Sequence, residues 1–235
     1  MTIYALVAGT LGTALAAGVL ALAIRWCSRP MLPQLAFWCD LNWIVARLWY
    51  RLRREGACTV PATGPVILVA NHTCAADPLM IIAACPTRVP AFLVAREFSA
   101  LPLFRRATDL IRCIPVRRDG QDVEATKAAI RRLRAGGALA VFIEGRIPPR
   151  GQTLPPKEGP ALIALRTGAT VIPVHISGTK YSESVACSFF QRHRTRVRFG
   201  LPVDLSDLAG IRHRFAIREA TQRVQAAIQF LAPTS

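Results

Sequence analysis

Residues 71 to 77 read Asn-His-Thr-Cys-Ala-Ala-Asp, with Pro78 immediately after. His72 is a side chain that accepts and returns a proton near neutral pH, and Asp77 is a carboxylate able to orient it. Together they suit removal of a proton from a weak nucleophile such as a hydroxyl. The spacing restricts how they meet. On an α-helix, residues five apart point roughly 140° away from one another at about 3.6 residues per turn, so the chain must turn between them. Asp77-Pro78 supplies the means, because Asp favours the N-cap and Pro the first helical position. The apolar run 66–70 precedes the segment. The expectation is strand, turn, helix start, with His72 in the turn. The plainer alternative makes Asp77 only a cap and His72 only a polar residue at a strand end.

Two further strand ends carry charge. Phe142-Ile-Glu-Gly-Arg146 leads into a loop, 147–160, with five prolines and two glycines. Ligands of α/β sheets bind in the crevice beyond strand termini, so Glu144 is placed to hydrogen-bond an acceptor and Arg146 to bind a phosphate. Ile114-Pro-Val-Arg-Arg118 offers the planar fork that suits phosphate. Solvated ion pairs or a basic turn are the alternatives for each. Arg192, Arg194, Arg196 and Arg198 alternate and share one face if that segment is a strand. They suit lipid phosphate, nucleic acid or a solvated edge. His175, His193 and His213 lack metal-ligand spacing. The seven cysteines form no C-x-x-C pair, which argues against a disulfide framework or zinc site and for a reducing compartment. Cys74 reads as a small turn residue.

These groups need a scaffold. Apolar strand candidates fall at 66–70, 91–95, 111–116, 138–143, 170–176 and 195–200, and helical ones at 77–85, 121–135, 158–167 and 212–231. The alternation predicts an α/β domain over 55–235, with a mostly parallel central sheet flanked by helices. Residues 1–54 read as membrane-anchoring helices. The stretch 3–24 carries no charge; as a helix it is about 33 Å long, against a hydrocarbon core of about 30 Å. A signal peptide and a buried core helix are the rival readings. Arg25 and Arg29 place the C-terminal side of this stretch in the cytoplasm. All four tryptophans lie at residues 26, 38, 43 and 49. With nearby arginines they predict an interfacial helix over 34–53. The net charge of +16 favours anionic partners.

Taken together, the segments resemble the glycerolipid acyltransferases: the 1-acylglycerol-3-phosphate acyltransferases and their lysophospholipid-acylating relatives. That family carries Asn-His-x-x-x-x-Asp, an Ile-Pro-Val-x-Arg strand end, Phe-Pro-Glu-Gly, and a Val-Ile-Pro-Val strand. Here they stand in that order as Asn71–Asp77, Ile114–Arg118, Phe142–Gly145 and Val171–Val174. The resemblance covers about residues 55–205. It implies His72 and Asp77 as the catalytic pair, and Asn71, Arg118, Glu144, Gly145 and Arg146 on the substrate side. It implies an acyl-coenzyme A or acyl carrier protein co-substrate, a lysophospholipid acceptor in a membrane, and no metal or organic cofactor; nucleic acid is not expected. Ile143 stands where the family has Pro. The Arg of Glu-Gly-Thr-Arg comes one position early, at Arg146, as in 2-acylglycerophosphoethanolamine acyltransferase domains. Backbone amides of the His72 turn are candidates for stabilising an oxyanion. A non-catalytic lipid- or nucleic-acid-binding protein is the alternative from another class. A hydrolase is disfavoured by the lack of a Gly-x-Ser-x-Gly elbow.

Overall fold

The computed structural model describes residues 31–99, 102–117, 122–150, 152–182, 184–211 and 213–233. The uncharged stretch 3–24 and Arg118 therefore lie outside the described residues. The chain divides into two compact units, residues 1–41 and 42–235. The boundary falls within helix α1 (Pro33–Leu48). Among the described residues no helix is long and apolar enough to cross a membrane.

The second unit is built on a seven-stranded sheet. Its strands are β1 (Arg53–Glu55), β2 (Val66–Ala70), β3 (Ala91–Ala95), β4 (Ile114–Val116), β5 (Ala138–Phe142), β6 (Thr170–Ser177) and β7 (Arg196–Phe199). Their order is β1-β7-β6-β2-β5-β3-β4. The five strands from β6 to β4 are mutually parallel. β7 runs antiparallel to β6, and β1 runs parallel to β7. The expected mostly parallel sheet is thus present.

β2 lies at the centre and is buried throughout. Parallel strands covered on both faces are apolar along their whole length rather than alternating, and Val-Ile-Leu-Val-Ala fits that rule. Leu68 and Ala70 pack on one side with Met80 and Ile81 of α2 (Asp77–Ala84). Ile67 and Val69 pack on the other with Ala129 and Leu133 of α5 (Val123–Arg134), Ile163 of α6 (Gly159–Thr167), and Val224 and Ile228 of α8 (Arg214–Phe230). The remaining helices are short: α3 (Arg96–Ser99), α4 (Pro102–Leu110) and α7 (Val185–Phe190).

The helix expected over 34–53 stops at Leu48. Arg51 takes a positive φ of 45°, and Arg53–Glu55 then joins the sheet edge beside Arg196–Arg198. Glu55 is the reason this charged triplet pairs: Arg196 Nε lies 3.4 Å and Arg198 Nε 2.6 Å from its carboxylate oxygens. Because β6, β2 and β5 are parallel, their C-terminal ends share one edge of the sheet. The segments just beyond those ends, Asn71–Asp77, Phe142–Gly145 and Gly178–Lys180, therefore gather there.

Candidate active site

Asn71 makes the turn after β2 possible. Its Nδ2 donates to the Ile176 carbonyl at 2.8 Å, and its Oδ1 accepts from the Ile176 amide at 2.7 Å. The side chain thus continues the β2–β6 pairing by one position in place of backbone. Ile176 keeps both its partners while the main chain of β2 leaves the sheet, which a buried strand end requires.

The departing chain folds around Asp77. Sequence reasoning expected Asp77 as a helix cap, but it is the first helical residue, and the N-cap, Ala76, makes no side-chain bond. The carboxylate turns back instead. Its Oδ2 accepts from His72 Nδ1 at 2.9 Å, Thr73 N at 2.7 Å and Cys74 N at 2.8 Å. Asp77 is wholly buried, and the His72 side chain is 13 % exposed. Two backbone N–H donors and the imidazole converge on Oδ2 and offset its charge, while Oδ1 is buried without a partner among the described residues. With Nδ1–H donated to Asp77, the neutral His72 ring carries its lone pair on Nε2, which no described residue bonds.

Phe142, the last residue of β5, stacks on His72 with ring centroids 3.7 Å apart and planes 9° apart. Ring orientation is therefore set by a hydrogen bond on one side and an aromatic face on the other. The Thr73 hydroxyl contacts the Thr179 hydroxyl, which ties the turn to the end of β6. Thr73 N and Cys74 N are already committed to Asp77, so the oxyanion role expected of amides near the turn does not fall to these two. Cys74 is buried, and burial pushes its thiol above the usual range. That suits a packing role rather than a nucleophile.

Glu144 sits in the turn just past β5. Burial, the largest cause, pushes its carboxyl up to about 7; the charge of Asp77 adds to this, while the backbone amides of Glu144 and His72 oppose it. Its Oε2 is buried with no partner among the described residues. Near neutral pH this group is poised to donate or to accept a hydrogen bond. Gly145 has φ +73°, and a Cβ there would stand 3.2 Å from Lys157 Cγ. The turn is closed by Gly145 N to Phe142 O at 3.0 Å and Lys157 N to Ile143 O at 2.7 Å. Arg146 is exposed. The preceding basic turn is anchored by Asp122, which accepts from Arg117 N at 2.9 Å and Ala125 N at 3.0 Å. These two bonds hold its carboxyl below the usual range. Asn71, His72, Asp77 and Glu144 are thus brought together, with Gly145 shaping the turn. Among the described residues no group of three or more His, Cys, Asp or Glu side chains converges as metal ligands would.

A family described as Acyltransferase matches residues 51–177, more than half of the chain. The chain belongs to the acyltransferase family. Among similar proteins, the 1-acyl-sn-glycerol-3-phosphate acyltransferase of Borreliella burgdorferi is 32 % identical over 130 residues, covering 53 % of this chain and 50 % of that one. The chloroplastic enzyme of the same name, LPAT1, from Arabidopsis thaliana is 23 % identical over 146 residues, covering 57 % and 40 %. The chain thus spans about half, or less, of the length of these relatives. The crystal structure of the 1-acyl-sn-glycerophosphate acyltransferase PlsC from Thermotoga maritima superposes with a TM-score of 0.67 at 23 % identity. It covers 91 % of this chain and 88 % of that one, so the acyltransferase fold extends well beyond the matched motifs.

Two features of this candidate site lie beyond sequence reasoning. Phe142 registers in sequence as an apolar residue near a strand end and as the first of the Phe142–Gly145 motif, but its stacking on His72 depends on β2 and β5 being neighbours. Thr179, more than a hundred residues from Thr73, carries no local signal; only the β2–β6 pairing brings it in.

Proposed function

We propose that this chain transfers a fatty acyl group from an acyl thioester to the free glycerol hydroxyl of a lysophospholipid, with 1-acylglycerol-3-phosphate as the acceptor. The observation that carries this reading is the His72–Asp77 pair, with Nδ1 fixed on a buried carboxylate and Nε2 left for substrate. Nε2 takes the proton of the acceptor hydroxyl as its oxygen attacks the thioester carbonyl, a contribution of about 10²–10⁴-fold. Asp77 stabilises the imidazolium that forms. As the tetrahedral intermediate collapses, the carbon–sulfur bond breaks and the imidazolium returns the proton to the thiolate. The acceptor hydroxyl is itself the nucleophile, so no acyl-enzyme forms. Asn71 holds the turn, Glu144 and Gly145 line the acceptor side, and Arg118 and Arg146 are assigned to the acceptor phosphate.

The acceptor and product are lipids, and the start of the second unit suits a membrane surface. Trp43, Ile44 and Leu48 expose 46 %, 46 % and 77 % of their surface, and the Arg47 guanidinium lies 5.4 Å from the Trp43 ring centre. Exposed aromatic and aliphatic side chains beside arginine favour the headgroup region. In this reading residues 1–54 anchor the protein and the catalytic domain faces the cytoplasm. A lysophosphatidylethanolamine acceptor is the second reading, carried by Glu144-Gly145-Arg146-Ile147. The test is acyl transfer by the purified, detergent-solubilised chain. Acyl-coenzyme A and acyl carrier protein are offered against lysophosphatidic acid, lysophosphatidylethanolamine and lysophosphatidylglycerol. Transfer is expected, fastest to lysophosphatidic acid; folded protein that acylates none of them contradicts the proposal.

A further inference from the structure

The dyad sits at the end of the central strand β2, and the two sides of the sheet beyond it differ. On the β5–β3–β4 side lie the turns that carry Glu144 and lead to Arg118, already assigned to the acceptor. The β6–β7–β1 side carries a second concentration of positive charge that the acceptor does not use. The fold assembles it from distant segments. Ser177, the last residue of β6, pairs with Arg196, the first of β7, and Arg53, the first of β1, pairs with the same Arg196. Lys180, Arg194 and Arg51 therefore emerge at one edge.

Two adjoining cavities open there, of about 640 and 330 Å³, and they share Lys180 and Arg192. Arg150 lines the larger and Arg51 and Arg194 the smaller; no acidic side chain lines either. Among the described residues none of these five cations is ion-paired with a carboxylate, although Arg196 and Arg198 just beyond them share Glu55. Clefts lined by one sign of charge concentrate ligands of the other sign.

The floor of this cleft is packed and hydrogen-bonded. His193 is 2 % exposed and stacks on Tyr50, with centroids 5.3 Å apart. Its Nδ1 accepts from the Lys180 amide at 3.1 Å, and its Nε2–H donates to Ser188 O at 3.2 Å. The Tyr50 hydroxyl donates to Phe189 O at 2.7 Å. Gly178 has φ +77°, and a Cβ there would meet the Arg194 carbonyl at 2.0 Å, so the walls approach as closely as glycine permits. The Arg192 guanidinium lies 4.7 Å from the Trp49 ring centre. The cleft adjoins the dyad, because Thr179, between Gly178 and Lys180, contacts Thr73.

We infer that this cleft seats the phosphate groups of coenzyme A, so that the acyl donor enters from the β6–β7 side while the acceptor enters from the β5–β4 side. The inference rests on the transfer reaction proposed above and names its donor. Both substrates of that reaction carry phosphate, and this cleft is a basic surface that the acceptor assignment leaves unused. Arginine and lysine together suit the diphosphate and ribose phosphate of the nucleotide.

The test uses the full chain with Lys180→Gln and Arg192→Gln combined; both positions are at least partly exposed, so the fold is not at risk. The KM for acyl-coenzyme A is expected to rise about ten- to a hundredfold, the loss expected for charge-assisted contacts. The KM values for lysophosphatidic acid and for acyl-pantetheine, the same thioester without the nucleotide phosphates, are expected to stay unchanged. An unmoved KM for acyl-coenzyme A overturns the inference. So does a rise in the KM for lysophosphatidic acid instead, which would make the cleft a lipid-headgroup site. Loss of transfer from acyl carrier protein with acyl-coenzyme A unaffected overturns it as well. If the wild-type chain transfers from no donor, the proposed reaction fails on its own. Calorimetry with free coenzyme A then decides the cleft: binding that the double substitution weakens supports it, and absence of binding refutes it.

Discussion

Glu144 offers a stability prediction with a definite sign. Its folded carboxyl is raised from 4.5 to about 7, chiefly by burial. The folded state therefore holds this proton more tightly than the unfolded chain. Below the unfolded value both states are protonated and the stabilising contribution is fully present. As pH rises through the folded value the contribution is lost, because ionisation places charge on a half-buried side chain whose Oε2 is buried without a partner among the described residues. Roughly 2.5 units at about 1.36 kcal/mol each give up to about 3 kcal/mol across the window. Glu144→Gln keeps the shape and removes the titration. The assay is thermal or denaturant unfolding of both proteins in the same detergent from pH 4 to 8. The stability of the variant minus that of wild type should grow with pH, reaching up to about 3 kcal/mol, or roughly 6–12 °C in Tm for a chain of this size. The unfilled position at Oε2 adds only a constant offset. A difference that stays flat across this range would refute the desolvation of the Glu144 carboxyl.

Three further outcomes are expected from the same geometry. Asp77→Asn keeps an oxygen for the Thr73 and Cys74 amides but puts an NH₂ where Oδ1 is buried without a partner. It should lose about 1–3 kcal/mol of stability and about 10²–10⁴-fold in kcat, read by unfolding and steady-state kinetics. Asn71→Ala strips Ile176 of both side-chain bonds and should cost about 2 kcal/mol in denaturant unfolding, and Asn71→Asp, which sets a carboxylate oxygen against the Ile176 carbonyl, should not restore that stability at neutral pH. Gly178→Ala drives a Cβ into the Arg194 carbonyl at a positive φ and should lower stability by at least about 2 kcal/mol in the same assay.

The parts of this fold legible in the sequence are those whose signal is local. β2, β5 and β6 are apolar runs long enough to be buried on both faces, so their existence and parallel pairing could be read from composition and alternation. The His72–Asp77 turn was legible because helical spacing would have kept the two side chains apart. What Asp77 does there was only half legible: an Asp before Pro looks like a cap, and nothing in the sequence shows the carboxylate folding back onto Thr73 and Cys74. β1 was invisible because Arg-Arg-Glu has no apolar pattern and pairs through one glutamate that bridges two arginines on a strand far along the chain. The alternating arginines 192–198 suggested a single face, but only Arg196 and Arg198 lie in β7, paired with Glu55, whereas Arg192 and Arg194 precede it and line the basic cleft. Arg51 and Lys180 join them only through the β1–β7 and β6–β7 pairings, which sequence alone does not reveal.

The role of His72 as the base in acyl transfer is tested most directly by comparing initial rates of wild type and His72→Gln. The donor is acyl-coenzyme A, the acceptor is lysophosphatidic acid, and both proteins are first shown to unfold cooperatively. A fall of about a hundredfold or more in kcat, with the KM values little changed, is the predicted result. A folded variant that turns over within a few-fold of wild type would contradict the assignment of the base and the mechanism built on it.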